Sequence, residues 1–113
     1  MLLDTGADET CFPGKYATFF GHNNRARRVQ KKRCTGVGGV SVAYIHSVQL
    51  SLIDPSRSTK SKQVIAWTAK TKSASFIQKL DSGFGLLGMD IIKLWKSVCF
   101  ESSPKDLDIR IRI

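Results

Sequence analysis

Leu2-Leu3-Asp4-Thr5-Gly6-Ala7-Asp8-Glu9-Thr10 is the stretch of this sequence whose residue types and spacing could do chemistry. Two apolar residues deliver an acid, Asp4, to a turn at the end of a strand. Thr5 brings a hydroxyl that can lock the turn. Gly6 has no Cβ, so another backbone or a substrate can approach closely. A carboxyl held this way suits general acid–base work. Asp-Thr-Gly is also a common turn, and the tripeptide alone does not specify catalysis. A second acid-bearing triplet, Asp81-Ser82-Gly83, reads as a loop: Lys79 stands where an apolar residue should precede the acid, and only 30 residues follow Gly83.

Other chemistries find little support. Thr35-Gly36-Val37-Gly38-Gly39 is glycine-rich, but Ser41 breaks G-x-G-x-x-G and no G-x-x-x-x-G-K-[ST] occurs, so a phosphate loop is not expected. Cys11, Cys34 and Cys99 are odd in number and far apart, with no C-x-x-C, no convincing Cys–His pair and no disulfide framework. They read as structural thiols of a reducing compartment. His22 and His46 are the only histidines and form no H-E-x-x-H, so neither a metal nor another cofactor is expected.

The elements that must position Asp4 are mostly short strands. At 113 residues, with 42% hydrophobic and 24% charged residues, the chain 1–113 is expected to be one globular domain with a modest core. Residues 1–3 read as the end of a buried strand. Val40, Val42 and Tyr44 alternate with smaller residues, and Val48, Leu50 and Leu52 alternate with Ser47, Gln49 and Ser51, the two-residue period of a half-buried strand. Residues 54–59 are a turn by composition, 63–69 another strand, and 70–85 loop-rich. Asp90 is expected to cap a short helix with Ile91, Leu94 and Trp95 on one face. Residues 97–101 and 107–113 read as a terminal hairpin. The expected class is all-β with one short helix.

Charge and hydropathy bound the partners. Eighteen Lys and Arg against nine Asp and Glu give +9, and six of the cations fall between Gly21 and Arg33: Arg25, Arg27, Arg28, Lys31, Lys32 and Arg33. That segment could meet nucleic acid or an acidic partner. No aromatic residue is interleaved with it, and a solvated loop and outer strand is the plainer reading. No apolar run reaches the ~18 residues of a membrane span, and no signal peptide is visible, so an intracellular, cytoplasmic protein with no membrane contact is expected.

Taken together, three motifs in order resemble the retropepsin-like (retroviral-type) aspartic proteases: Leu3 to Thr10, the glycines Gly36 to Gly39, and Leu86-Leu87-Gly88-Met89-Asp90-Ile91-Ile92. The wording of the third is more similar to cellular, bacterial or retroelement members than to retroviral enzymes. The resemblance spans residues 2 to about 113. It implies a small closed or partly open β-barrel of the acid-protease type and a peptide or protein substrate. Asp4 would be the catalytic acid/base, with Thr5 bonding across a dimer and Gly6 letting two turns approach. Ala7 and Asp8 would line the cleft, with Asp8 on the substrate backbone. Gly36, Val37 and Gly38 would form the tip of a flap closing over substrate, and Leu86, Leu87 and Gly88 would back the catalytic turn.

That chemistry needs two carboxyls sharing one proton. With one such acid per chain, the second would come from another copy in a homodimer. Met89 stands where retroviral members carry an arginine, which leaves the partner of Asp8 open. Compared with the family, the chain also looks shortened before Asp4, with the last strand, 107–113, as the alternative filler of the vacant edge. The rival readings are an inactive dimerisation or peptide-binding module of the same fold, and a basic nucleic-acid-binding fragment of a retroelement polyprotein.

Overall fold

A computed structural model describes residues 1–36, 39–78, 80 and 83–113. The molecule is mostly β. In chain order the strands are β1 (Leu2–Leu3), β2 (Cys11–Pro13), β3 (Gln30–Gly36), β4 (Gly39–Ile53), β5 (Ile65–Ile77), β6 (Leu86–Leu87), β7 (Ser97–Ser102) and β8 (Leu107–Arg112). Two single 3₁₀ turns, Gly14–Tyr16 and Thr18–Phe20, follow β2, and the short helix α1 (Met89–Ile92) follows β6. Six strands form one sheet in the order β1-β6-β2-β5-β4-β3, while β7 and β8 form a separate hairpin sheet. The larger sheet is open, with β1 and β3 as its edges. Strand β8 pairs with β7 and adds nothing to the edge beside β1, so the expected alternative filler is not used.

The long hairpin β3–β4 follows from its residues. Lys31 to Thr35 and Val40 to Tyr44 pair in antiparallel register, ending on Gly36 opposite Gly39. Gly39 has φ +96°, a backbone conformation that side chains resist. Val37 and Gly38, the expected flap tip, lie outside the described residues, as do Lys79, Asp81 and Ser82. Along β4 the register against β5 shifts between His46 and Val48. Before the shift, Ala43 is the fully buried residue while Val40 and Val42 face solvent; after it, Val48 is buried. The first half of β4 therefore turns its small residues inward, the reverse of what hydropathy alone suggests.

Strand β5 corrects the expected loop at 70–77. Its pairing with β4 runs to Phe76 and Ile77, and Thr71, Ala74, Ser75 and Phe76 are buried. Small and hydroxyl side chains fit between close neighbours here, and they carry no hydrophobic signal. Helix α1 begins after Gly88, and Asp90 lies inside its first turn instead of capping it. Its buried residues are Ile91 and Ile92, and Trp95, beyond its end, is buried as well, whereas Leu94 is 52% exposed. The helix ends at Ile92, too short to carry the i, i+3, i+4 stripe through Leu94. At the front, Leu3 turns inward, but Met1 and Leu2 are about half exposed, against the expected buried strand.

Two small cores result. Phe12, Ala17, Val48, Ala74 and Phe76 form one, with Tyr44 and Leu50 against it. Ile91, Ile92 and Trp95 form the other, covered by Leu3, Leu52, Trp67, Leu87, Val98 and Ile111. Leu50 touches both. Among the described residues no helix is long and apolar enough to cross a membrane.

Candidate active site

Strand β1 is held as a short parallel rung against β6, Leu2 beside Leu86 and Leu3 beside Leu87. The Leu2 N–H donates to the Gly85 carbonyl at 2.8 Å, and the Asp4 N–H donates to the Leu87 carbonyl at 3.0 Å. The chain then turns. The Gly6 N–H donates to Asp4 Oδ1 at 2.9 Å, and the Ala7 N–H to the Asp4 carbonyl at 3.3 Å. Asp4 is half-buried, while Thr5 and Gly6 are exposed.

Beyond the turn, 7–10 are fastened to the start of α1. The N–H groups of Met89 and Asp90 donate to the carbonyls of Ala7 and Asp8, at 2.8 and 3.0 Å. Thr10, fully buried, donates through both its N–H (2.9 Å) and its hydroxyl (2.7 Å) to Asp90 Oδ1, and its hydroxyl accepts from the Gly88 N–H at 3.1 Å. Gly88 fits only because it lacks a Cβ, which would lie 2.4 Å from the Glu9 carbonyl carbon. Thr10 and Asp90 position the turn: Asp90, expected as a helix cap, instead clasps Thr10, for which the sequence suggests no partner. Their signal is weak in sequence, since eighty residues separate them.

A cleft of about 390 Å³ opens on the far side of this turn, lined by Gly6, Ala7, Asp8 and Glu9 on one wall and Lys32 to Thr35 on the other, with Cys11, Ser75 and Ile77 between. A smaller hollow beneath the hairpin arm shares Cys34, Thr35 and Ile77 with it and reaches Gly36 and Gly39. Of the expected substrate-binding residues, Ala7 and Asp8 line the cleft and Gly36 lines the adjoining hollow. Asp4 lines neither and adjoins the cleft through Gly6, whose N–H its carboxylate accepts. Leu86 and Leu87 stand behind the turn, with Leu87 in the second core, away from the cleft.

Charge in the cleft is mixed. Lys32 pairs with Glu9, which also accepts from the Ser75 hydroxyl at 3.2 Å. Among the described residues Asp8 has no ion-pair partner. Burial pushes the Cys11 thiol up; the Leu86 N–H opposes the shift, while Cys34, Asp4 and Asp90 add to it. The basic segment splits accordingly: Lys32 turns inward, whereas Arg25, Arg27, Arg28, Lys31 and Arg33 are exposed, with Lys31 5.7 Å from the Tyr44 ring centre. Among the described residues no cluster of three or more His, Cys, Asp or Glu side chains could hold a metal ion. Comparisons of the chain with protein-family models, curated proteins and solved structures find no match.

Proposed function

We propose that this chain is an aspartic endopeptidase of the retropepsin-like type, built on an opened acid-protease barrel and active as a homodimer. The observation that carries the reading is the seat of Asp4: an acid at the end of a two-residue strand, bonded to the Leu86–Leu87 strand and followed by a turn that opens onto a cleft. Two Asp4 carboxyls at a two-fold axis share one proton, because like charges about 3 Å apart cannot both ionise. The ionised member takes a proton from water, which attacks the peptide carbonyl, and the protonated member donates to the carbonyl oxygen. Thr5 braces the two turns across the dimer. Asp8, without an ion-pair partner among the described residues, takes a substrate backbone N–H, and the β3–β4 arm covers the peptide.

The surface of the single chain supports a second copy. It exposes 8538 Å², against about 6,200 Å² expected for a compact monomer of this mass. Phe100, Leu107 and Ile109 are each about half exposed on one face of the β7–β8 hairpin. Such a hairpin is marginal in water without cover. The test is hydrolysis of a mixed peptide pool by the wild-type chain and by Asp4→Asn. Wild-type cleavage with a loss of about 100-fold or more in the variant is the expected result, the scale of a missing acid–base group. Equal turnover, or none in either, overturns the reading.

A further inference from the structure

Strands β2 and β3 are not neighbours in the sheet, yet they run in the same direction. The pairings from β2 to β5, β5 to β4 and β4 to β3 are parallel, antiparallel and antiparallel in turn. The sheet curls far enough for Lys32 of β3 to meet Glu9 just before β2. Side chains alternate along a strand, so Cys34, two positions beyond Lys32 in β3, shares its face. Cys11 is level with Ser75 of β5, whose hydroxyl donates to the same Glu9 carboxylate. Both thiols line the same cleft, Cys34 in one wall and Cys11 in the floor between the walls.

We propose that Cys11 and Cys34 are a reversible oxidation site, in which a disulfide between them ties β3 to β2 and shuts the cleft. The oxidant is a low-molecular-weight disulfide such as oxidised glutathione. Cys34, the more exposed thiol, loses its proton and attacks one sulfur of that disulfide; the old S–S bond breaks and one glutathione thiolate leaves. Cys11 then loses its proton and attacks Cys34 Sγ, expelling the second glutathione thiolate. Two protein thiols give up two electrons, and the glutathione disulfide takes them as it becomes two thiols.

A disulfide needs Cα atoms about 5.5 Å apart. The long Lys32 and Glu9 side chains bridge a wider gap than that. The bond therefore draws β3 inward, and β3 is free to follow because it is an edge strand. The closed form excludes an extended peptide whether or not the chain is a peptidase.

The test uses the full chain carrying Cys99→Ser, so that only the two cleft thiols remain, with oxidised glutathione as the probe. Thiol counting and non-reducing peptide mapping by mass spectrometry read the product. The expected result is loss of both thiols, a Cys11–Cys34 cross-linked peptide within one chain, and full recovery with reductant. Cys34→Ser in the same background should leave Cys11 unreacted. Arrest at a Cys34–glutathione adduct, cross-links between two copies, or two persistent free thiols each overturn the proposal. No readout depends on hydrolysis. Peptide cleavage measured in parallel judges the peptidase reading separately.

Discussion

The candidate site stands on contacts that leave almost no room for change. A Cβ on Gly88 would sit 2.4 Å from the Glu9 carbonyl carbon and 2.6 Å from its oxygen, both backbone atoms. Backbone cannot swing aside as a side chain does. Gly88→Ala should therefore cost about 3 kcal/mol, the upper end of overpacking, read as a fall of roughly 12 °C in Tm at about 4 °C per kcal/mol. Thr10→Val probes the same junction more gently. It keeps the shape but removes a donor to Asp90 Oδ1 and the acceptor of the Gly88 N–H. Losing partners of buried polar groups costs about 1–3 kcal/mol, measurable by urea unfolding. A variant as stable as wild type would show that this junction does not hold the turn.

Among the elements, the middle of β4 carries a titration. His46 is 8% exposed, its ring stacked on His22 at 4.4 Å between centroids and set edge-on to Phe76, with Asn24 Oδ1 2.7 Å from its Nε2. Burial, then the His22 charge, lowers its pKa. A lowered folded-state pKa means that folding favours the neutral ring. The stability is fully present above about pH 6.5, the free histidine value, and is lost as pH falls through the folded pKa. Thermal unfolding from pH 7.5 to 5 should show this decline, and His46→Gln should flatten it. An unchanged slope in the variant would place the acid sensitivity elsewhere. The same elements show what sequence can and cannot disclose. The Leu2 to Thr10 string, the glycine hairpin and the terminal hairpin are legible because turn chemistry and strict alternation mark them. Strand β5 beyond Ala69 is not, because Thr71, Ala74 and Ser75 are buried by close neighbours and not by their own hydrophobicity. The shift after His46 and the Thr10–Asp90 clasp depend on long-range pairing, which no local pattern reports.

For the whole molecule, surface is the dominant quantity. A radius of gyration of 15.5 Å exceeds the roughly 13 Å of a compact chain of this length. The β7–β8 hairpin packs on the rest through Val98 and Ile111 in the second core, and leaves Phe100, Leu107 and Ile109 about half exposed. If this hairpin is where copies meet, Ile109→Lys should weaken self-association about tenfold or more, the effect of losing a central contact, while sparing the fold because Ile109 is 46% exposed. Sedimentation across a concentration series measures it. Specific peptidase activity should fall along the same curve, and an unchanged association constant would move the interface to another face.

The β3–β4 hairpin behaves mechanically like a cantilever. Pairing of β4 with β5 begins at Ala43, whereas its pairing with β3 continues out to Gly39. Ala43 is wholly buried and acts as the fulcrum. The arm beyond it is four residues long, about 13 Å at the usual strand rise. A 10° tilt at the fulcrum would then carry the end through roughly 2 Å, and the rungs between Gly36 and Ala43 would travel with it unbroken. What resists the tilt is the anchorage at its root: the Gln78 N–H on the Val42 carbonyl at 3.0 Å, and the Lys32–Glu9 ion pair. Among the described residues, opening the cleft then costs two tethers and no strand pairing, and because one tether, Lys32–Glu9, lies in the cleft lining, a charged occupant can itself loosen the arm.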